Sequence, residues 1–199
     1  MKKILLILII NVLFISNINT SINDIANNKG MVSATIEQNI TVRQCIPTTV
    51  MNFMIVNKDF LYAIGHLESR NRYNITNKFG YIGKYQFNPN TISGLGYTVS
   101  NITFLNDPVL QEQIMWTYLK YHEYILQEYI DKYDNTYYHI SDNDSIYITK
   151  SGILGAAHLS GAGNVIKFFK SNGKRKFADA FGTSLRKYLK ELSGFTLLV

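Results

Sequence analysis

From Pro108 to Tyr133 the chain reads PVLQEQIMWTYLKYHEYILQEYIDKY, with no glycine and with proline only in first place. No other stretch limits the fold as strongly. Asp107 just before it is a good helix N-cap, and proline suits the first helical position, where its missing N–H is not needed. Val109/Leu110, Ile114, Tyr118, Ile125, Tyr129 and Tyr133 draw an apolar stripe at helical spacing. The stretch predicts one long bent helix or two successive ones.

The flanking sequence is organised around shorter helices. Lys58 to Ser69 predicts a first helix with Phe60, Leu61, Ile64 and Leu67 turned inward. Asn71–Tyr97 carries Gly80, Gly83, Gly94, Gly96 and many asparagines, with alternation around Phe79–Phe87. It predicts loops, a small β-hairpin at most, and a short helix from Pro89 or Asn90. Asp134–Ser145 reads as a polar loop. Thr149 or Ser151 then caps a small-residue helix that breaks near Gly161–Gly163 and resumes to Phe169. Lys170–Lys176 is a basic turn. Thr183 or Ser184 caps a last helix with Leu185, Tyr188, Leu189 and Leu192 on its apolar face. The expected fold is mainly α, with a loop-rich or hairpin insert directly after Glu68.

The N-terminus has a different character. Two lysines precede the apolar run Ile4–Ile15, which is too short for a spanning helix of about 20 residues. This is the layout of an export signal, placed at 1–20, with an uncleaved anchor left open. A polar lead-in follows at 21–49, and the folded domain is expected over 50–199. The protein is therefore expected outside the cytoplasm, periplasmic or extracellular. The lone Cys45 cannot form an internal disulfide. The formal charge of +6 suits an anionic partner: nucleic acid, an anionic membrane or a cell wall. No nucleic-acid-binding motif accompanies that charge, and export opposes such a partner.

One residue breaks the apolar pattern. Glu68 falls on the inward stripe, seven residues after Leu61 and four after Ile64. An apolar setting disfavours the ionised carboxylate, so such a glutamate can hold a proton and deliver it to a leaving oxygen. The alternative is a helix-end carboxylate paired with Arg70 or Arg72, or rotated toward solvent. The next segment supplies Tyr81, Tyr85, Gln86 and several asparagines, neutral groups of the kind that line a carbohydrate groove. Ser69–Asn106 contains no Asp or Glu, which makes a poor site for hard cations. His66 and His158 lack partners at zinc-ligand spacing. No metal and no cofactor are expected.

Three segments carry a resemblance. Glu68-Ser69, then GKYQF at Gly83–Phe87, then AAHLSGAG at Ala156–Gly163 resemble the lysozyme-like lytic transglycosylase superfamily, with its goose-type lysozymes, soluble lytic transglycosylases and endolysins. The resemblance covers roughly residues 50–195. It implies an α+β lysozyme-like fold, Glu68 as general acid, and a sugar groove touched by Ser69, Tyr81, Gly83, Tyr85, Gln86 and His158. The chain departs from the A-Y-N-A-G pattern at Ala157–Gly161, where His158 replaces the usual tyrosine and Leu159 the asparagine.

The implied substrate is the peptidoglycan glycan strand. In the single-carboxyl route Glu68 cleaves the β-1,4 bond after N-acetylmuramic acid and leaves a 1,6-anhydro end. The usual glycosidase route needs a second carboxylate, for which Asp59 and Asp107 are the nearest in sequence. A hydrolytic muramidase and a non-catalytic wall-binding module are the alternatives. Membrane contact is expected only through an uncleaved N-terminus, and a secretion or phage-like apparatus is a possible partner.

Overall fold

The computed structural model describes residues 47–178 and 182–199. The expected export signal, most of the lead-in and Cys45 lie outside the described residues. Among the described residues no helix is long and apolar enough to cross a membrane.

The long stretch is one continuous helix. We label the helices α1 (Thr48–Val56), α2 (Lys58–Ser69), α3 (Pro89–Gly94), α4 (Asn101–Leu105), α5 (Pro108–Tyr133), α6 (Lys150–Ser160), α7 (Ala162–Lys170) and α8 (Leu185–Glu191). The Asp107 side chain accepts from the Leu110 N–H and starts α5 as its sequence predicts. Its buried face differs from the expected stripe. Ile114, Met115, Tyr118, Leu119, Leu126 and Ile130 point inward, together with the polar Gln111, Glu112 and His122. Ile125, Tyr129 and Tyr133 sit at its edge, only partly buried. Each fully buried aliphatic side chain on this face stabilises the domain by about 1.5–3 kcal/mol.

The mainly helical fold is accompanied by one small sheet, and its place is a correction to the sequence reading. Thr136–Ser141 (β1) and Asp144–Ile148 (β2) pair antiparallel, where a polar loop is expected. Tyr138, Ile146 and Ile148 alternate into the core while their neighbours face solvent, the period-2 pattern of a half-buried hairpin. The insert after Glu68 is instead a loop held by single bridges, Thr76 to Ile82 and Ile82 to Phe87.

The remaining caps follow the sequence. Thr149 caps α6, Gly161 separates α6 from α7, and Ser184 caps α8. Two further helices are not expected from the sequence: α4 has only five residues, and α1 is apolar on most sides, with Val50 and Phe53 its buried residues. In α2, Leu67 is exposed and Gly65 takes an inward position.

The small residues of α6 set the spacing that matters for function. A Cβ on Gly155 would collide with the Leu192 side chain, and one on Gly152 would lie 2.7 Å from the Leu189 carbonyl. The two glycines let α8 lie directly against α6. That packing carries Tyr188 toward the C-terminal end of α2.

Candidate active site

The end of α2 is shaped by two consecutive left-handed residues. Arg70 and Asn71 both have φ of 60°, and their N–H groups return to the His66 and Gly65 carbonyls. This closes the last turn of the helix. Glu68 stands just before the reversal, with about one-sixth of its side chain exposed.

The alternative pairing of Glu68 with an arginine is not what forms. Arg70 reaches His66 Nε2 at 2.9 Å, and Arg72 Nε donates to the Ser69 carbonyl. Glu68 Oε1 instead accepts a 2.7 Å hydrogen bond from the Tyr188 hydroxyl. His158 Nε2 stands 4.0 Å from the same oxygen. Tyr118 adjoins them. Its phenol is pushed well above the ordinary range, first by burial and then by the charge of Glu68.

His158 is fixed on three sides. Its Nε2 donates to the Tyr85 carbonyl at 2.8 Å, so that nitrogen carries a proton. Phe87 and Tyr118 meet the imidazole edge-on, each with centroids 5.3 Å away. Its Nδ1 is buried without a partner among the described residues. Leu159, the next residue, offers no polar side chain.

The other expected site residues separate into two groups. Ser69 is buried. Its hydroxyl donates to the Lys84 carbonyl at 2.7 Å and accepts from the Arg72 N–H, tying the end of α2 to the following loop. Gly83 lies at φ 77°, and a Cβ there would run into Gln111 and Phe104. Tyr85 is fully buried and turns its hydroxyl to Glu112, so its ring presents no surface to a ligand. Gln86 has φ 50° and spends its side-chain amide on the Gly83 carbonyl. Tyr81 is exposed at the rim of the loop. The structure thus gathers Glu68, His158 and the Tyr85 backbone at one point. Ser69 and Gly83 act in shaping the loop.

Sequence reasoning missed Tyr188 and Glu112. Tyr188 lies on the apolar stripe of α8, yet a buried phenol needs a partner for its hydroxyl, and that was the available signal. Glu112 is buried on α5 and accepts from Tyr73, Lys84 and Tyr85. Its sequence neighbours suggest an exposed helical face.

Among the described residues, no three His, Cys, Asp or Glu side chains gather as metal ligands. The chemistry open to the arrangement is proton transfer by one partly exposed carboxyl. Glu68 Oε1 is held by a phenol, and Oε2 has no hydrogen bond among the described residues. Comparison with protein-family models, curated proteins and solved structures finds no match to this chain.

Proposed function

We propose that the protein is a peptidoglycan lytic transglycosylase with Glu68 as its single acid and base. The observation that carries this reading is the convergence on one carboxyl of α2, the 83–87 loop, α6 and α8. Tyr188 donates to Oε1 at 2.7 Å, which leaves Oε2 to carry the exchangeable proton. The proton passes to the glycosidic oxygen as the C1–O bond breaks. The substrate's N-acetyl carbonyl supports the positive charge at C1. The carboxylate then takes the proton from the C6 hydroxyl as O6 bonds to C1. The sum is a cleaved strand with a 1,6-anhydro end, and no water is consumed.

A hydrolase of the two-carboxylate type requires a second free carboxylate across the bond. Asp107 is engaged in capping α5. Asp59 lies about 13 Å back along the α2 axis at helical rise. Glu112 is 1% exposed and accepts three donors. This distribution favours the single-carboxyl route. Removal of the expected signal would take Lys2 and Lys3 with it and leave a formal charge of about +4, which still suits an anionic wall.

The test is digestion of purified peptidoglycan, with the sugar ends weighed by mass spectrometry. Ends lighter by one water are expected. Ordinary reducing ends would make the protein a muramidase. Binding without any cleavage would make it a wall-binding module.

A further inference from the structure

The buried carboxylate of Glu112 takes no part in the proton transfer just described, yet it accepts hydrogen bonds from three side chains. Its Oε1 accepts from Lys84 Nζ at 2.8 Å and from the Tyr73 hydroxyl at 2.7 Å. Its Oε2 accepts from the Tyr85 hydroxyl at 2.6 Å. The Lys84 ammonium also lies over the Tyr85 and Tyr73 rings, 4.7 and 5.3 Å from their centroids. Burial, followed by the charge of Glu112, pushes both phenols upward, so they remain protonated donors. A buried charge is kept when it is paired and hydrogen-bonded, and Glu112 is paired with Lys84 and accepts at both oxygens.

The two residues that Glu112 anchors by their side chains present their backbone carbonyls to the candidate site. The Lys84 carbonyl accepts from Ser69 Oγ at 2.7 Å, directly beside Glu68. The Tyr85 carbonyl accepts from His158 Nε2 at 2.8 Å. The neighbouring Gln111 holds the same backbone from the other direction, accepting the Lys84 N–H at 2.8 Å and donating to the Tyr73 and Phe104 carbonyls. One helical turn of α5 therefore fixes Lys84 at both backbone and side chain and Tyr85 by its side chain.

We infer that Glu112 is a positioning residue: through Lys84 and Tyr85 it sets where Ser69 and His158 stand about the Glu68 carboxyl. The inference rests on reading Glu68 as the acid. Its structural half, the coupling of Glu112 to His158, can be measured without that reading. Small misplacements about a reacting group cost about 10²-fold in rate, so the effect is expected in kcat and not in KM.

The experiment uses the full chain with Glu112→Gln. Because this leaves the Lys84 ammonium unpaired in the interior, the double variant Glu112→Gln/Lys84→Met is made beside it to remove both charges together. The readouts are the nitrogen-15 imidazole resonances of His158, the exchange of its Nε2 proton, and kcat and KM on peptidoglycan. The proposal expects a slowly exchanging Nε2 proton in the parent and fast exchange in whichever variants are folded. It also expects kcat to fall by about 10²-fold at nearly constant KM. Loss of the His158 signature in the variants, beside a parent that shows it but cleaves nothing, would keep the coupling and remove the acid role of Glu68. A folded variant with the parental His158 signature would overturn the proposal whatever its activity. So would a folded variant with parental kcat.

Discussion

The Tyr188 hydroxyl donates a 2.7 Å hydrogen bond to Oε1 of Glu68 across 120 residues of chain. The bond joins the last helix to the helix that ends in the candidate acid, and it selects which carboxyl oxygen is free. A hydrogen bond to a charged acceptor contributes about 1.5–3 kcal/mol. Tyr188→Phe is therefore expected to lower stability by about 1.5–3 kcal/mol and to slow glycan cleavage by about 10- to 100-fold. Steady-state kinetics beside a melting curve check this. Parental rates would show that the phenol does not act on Glu68.

Glu68→Gln keeps an oxygen to accept from Tyr188 and removes the proton that can be delivered. Cleavage is expected to fall by about 10²- to 10⁴-fold, the range for a lost general acid, with the helical circular dichroism unchanged. A fully active glutamine variant would end the assignment of Glu68 as acid.

Arg70 adopts φ 60° at the left-handed cap of α2, a conformation that costs an L-residue about 1–2 kcal/mol and glycine almost nothing. Part of that is returned by the greater freedom of glycine in the unfolded chain. Arg70→Gly is expected to stabilise the protein by about 0.5–1 kcal/mol, near 2–3 °C in Tm. Urea and thermal midpoints measure it, and a destabilised variant would contradict it.

Gly83→Ala should have the opposite effect. It adds a methyl group at φ 77° where Gln111 and Phe104 already fill the space. Left-handed strain and overpacking together predict a loss of about 2–4 kcal/mol, read from the urea midpoint.

His122 supplies the pH dependence. Burial, with His158 nearby as a smaller cause, lowers it from 6.5 to about 4. Between those values the unfolded chain binds a proton that the folded one refuses, so stability is present above pH 6.5 and is lost as pH falls toward 4. The loss is at most about 3 kcal/mol. Urea midpoints at pH 7 and pH 5 should differ in the parent and differ less in His122→Phe. Equal pH dependence in the two would show that another group carries it.

Much of the architecture was legible because local chemistry dictates it. Asp107, Thr149 and Ser184 sit where a side-chain oxygen can take an orphan helical N–H, and all three cap. Gly161 and the loop after Glu68 punctuate the chain as glycine and asparagine do. The hairpin at Thr136–Ile148 was hidden because its turn residues, Asp142 and Asn143, and its outward polar positions outweigh three buried apolar ones.

What the sequence determined by itself was six of the eight described helices, the caps of α5, α6 and α8, and the odd placement of Glu68 on an apolar stripe, since each depends on neighbours within a few positions. Only the tertiary structure decided what that carboxyl meets. Glycine-permitted packing of α8 on α6 brought Tyr188 to Oε1, and the buried charge of Glu112 recruited Lys84, Tyr73 and Tyr85. A side chain's hydrogen-bond partner is chosen by which backbones can approach closely. That is a property of packed elements far apart in sequence, and no local pattern encodes it.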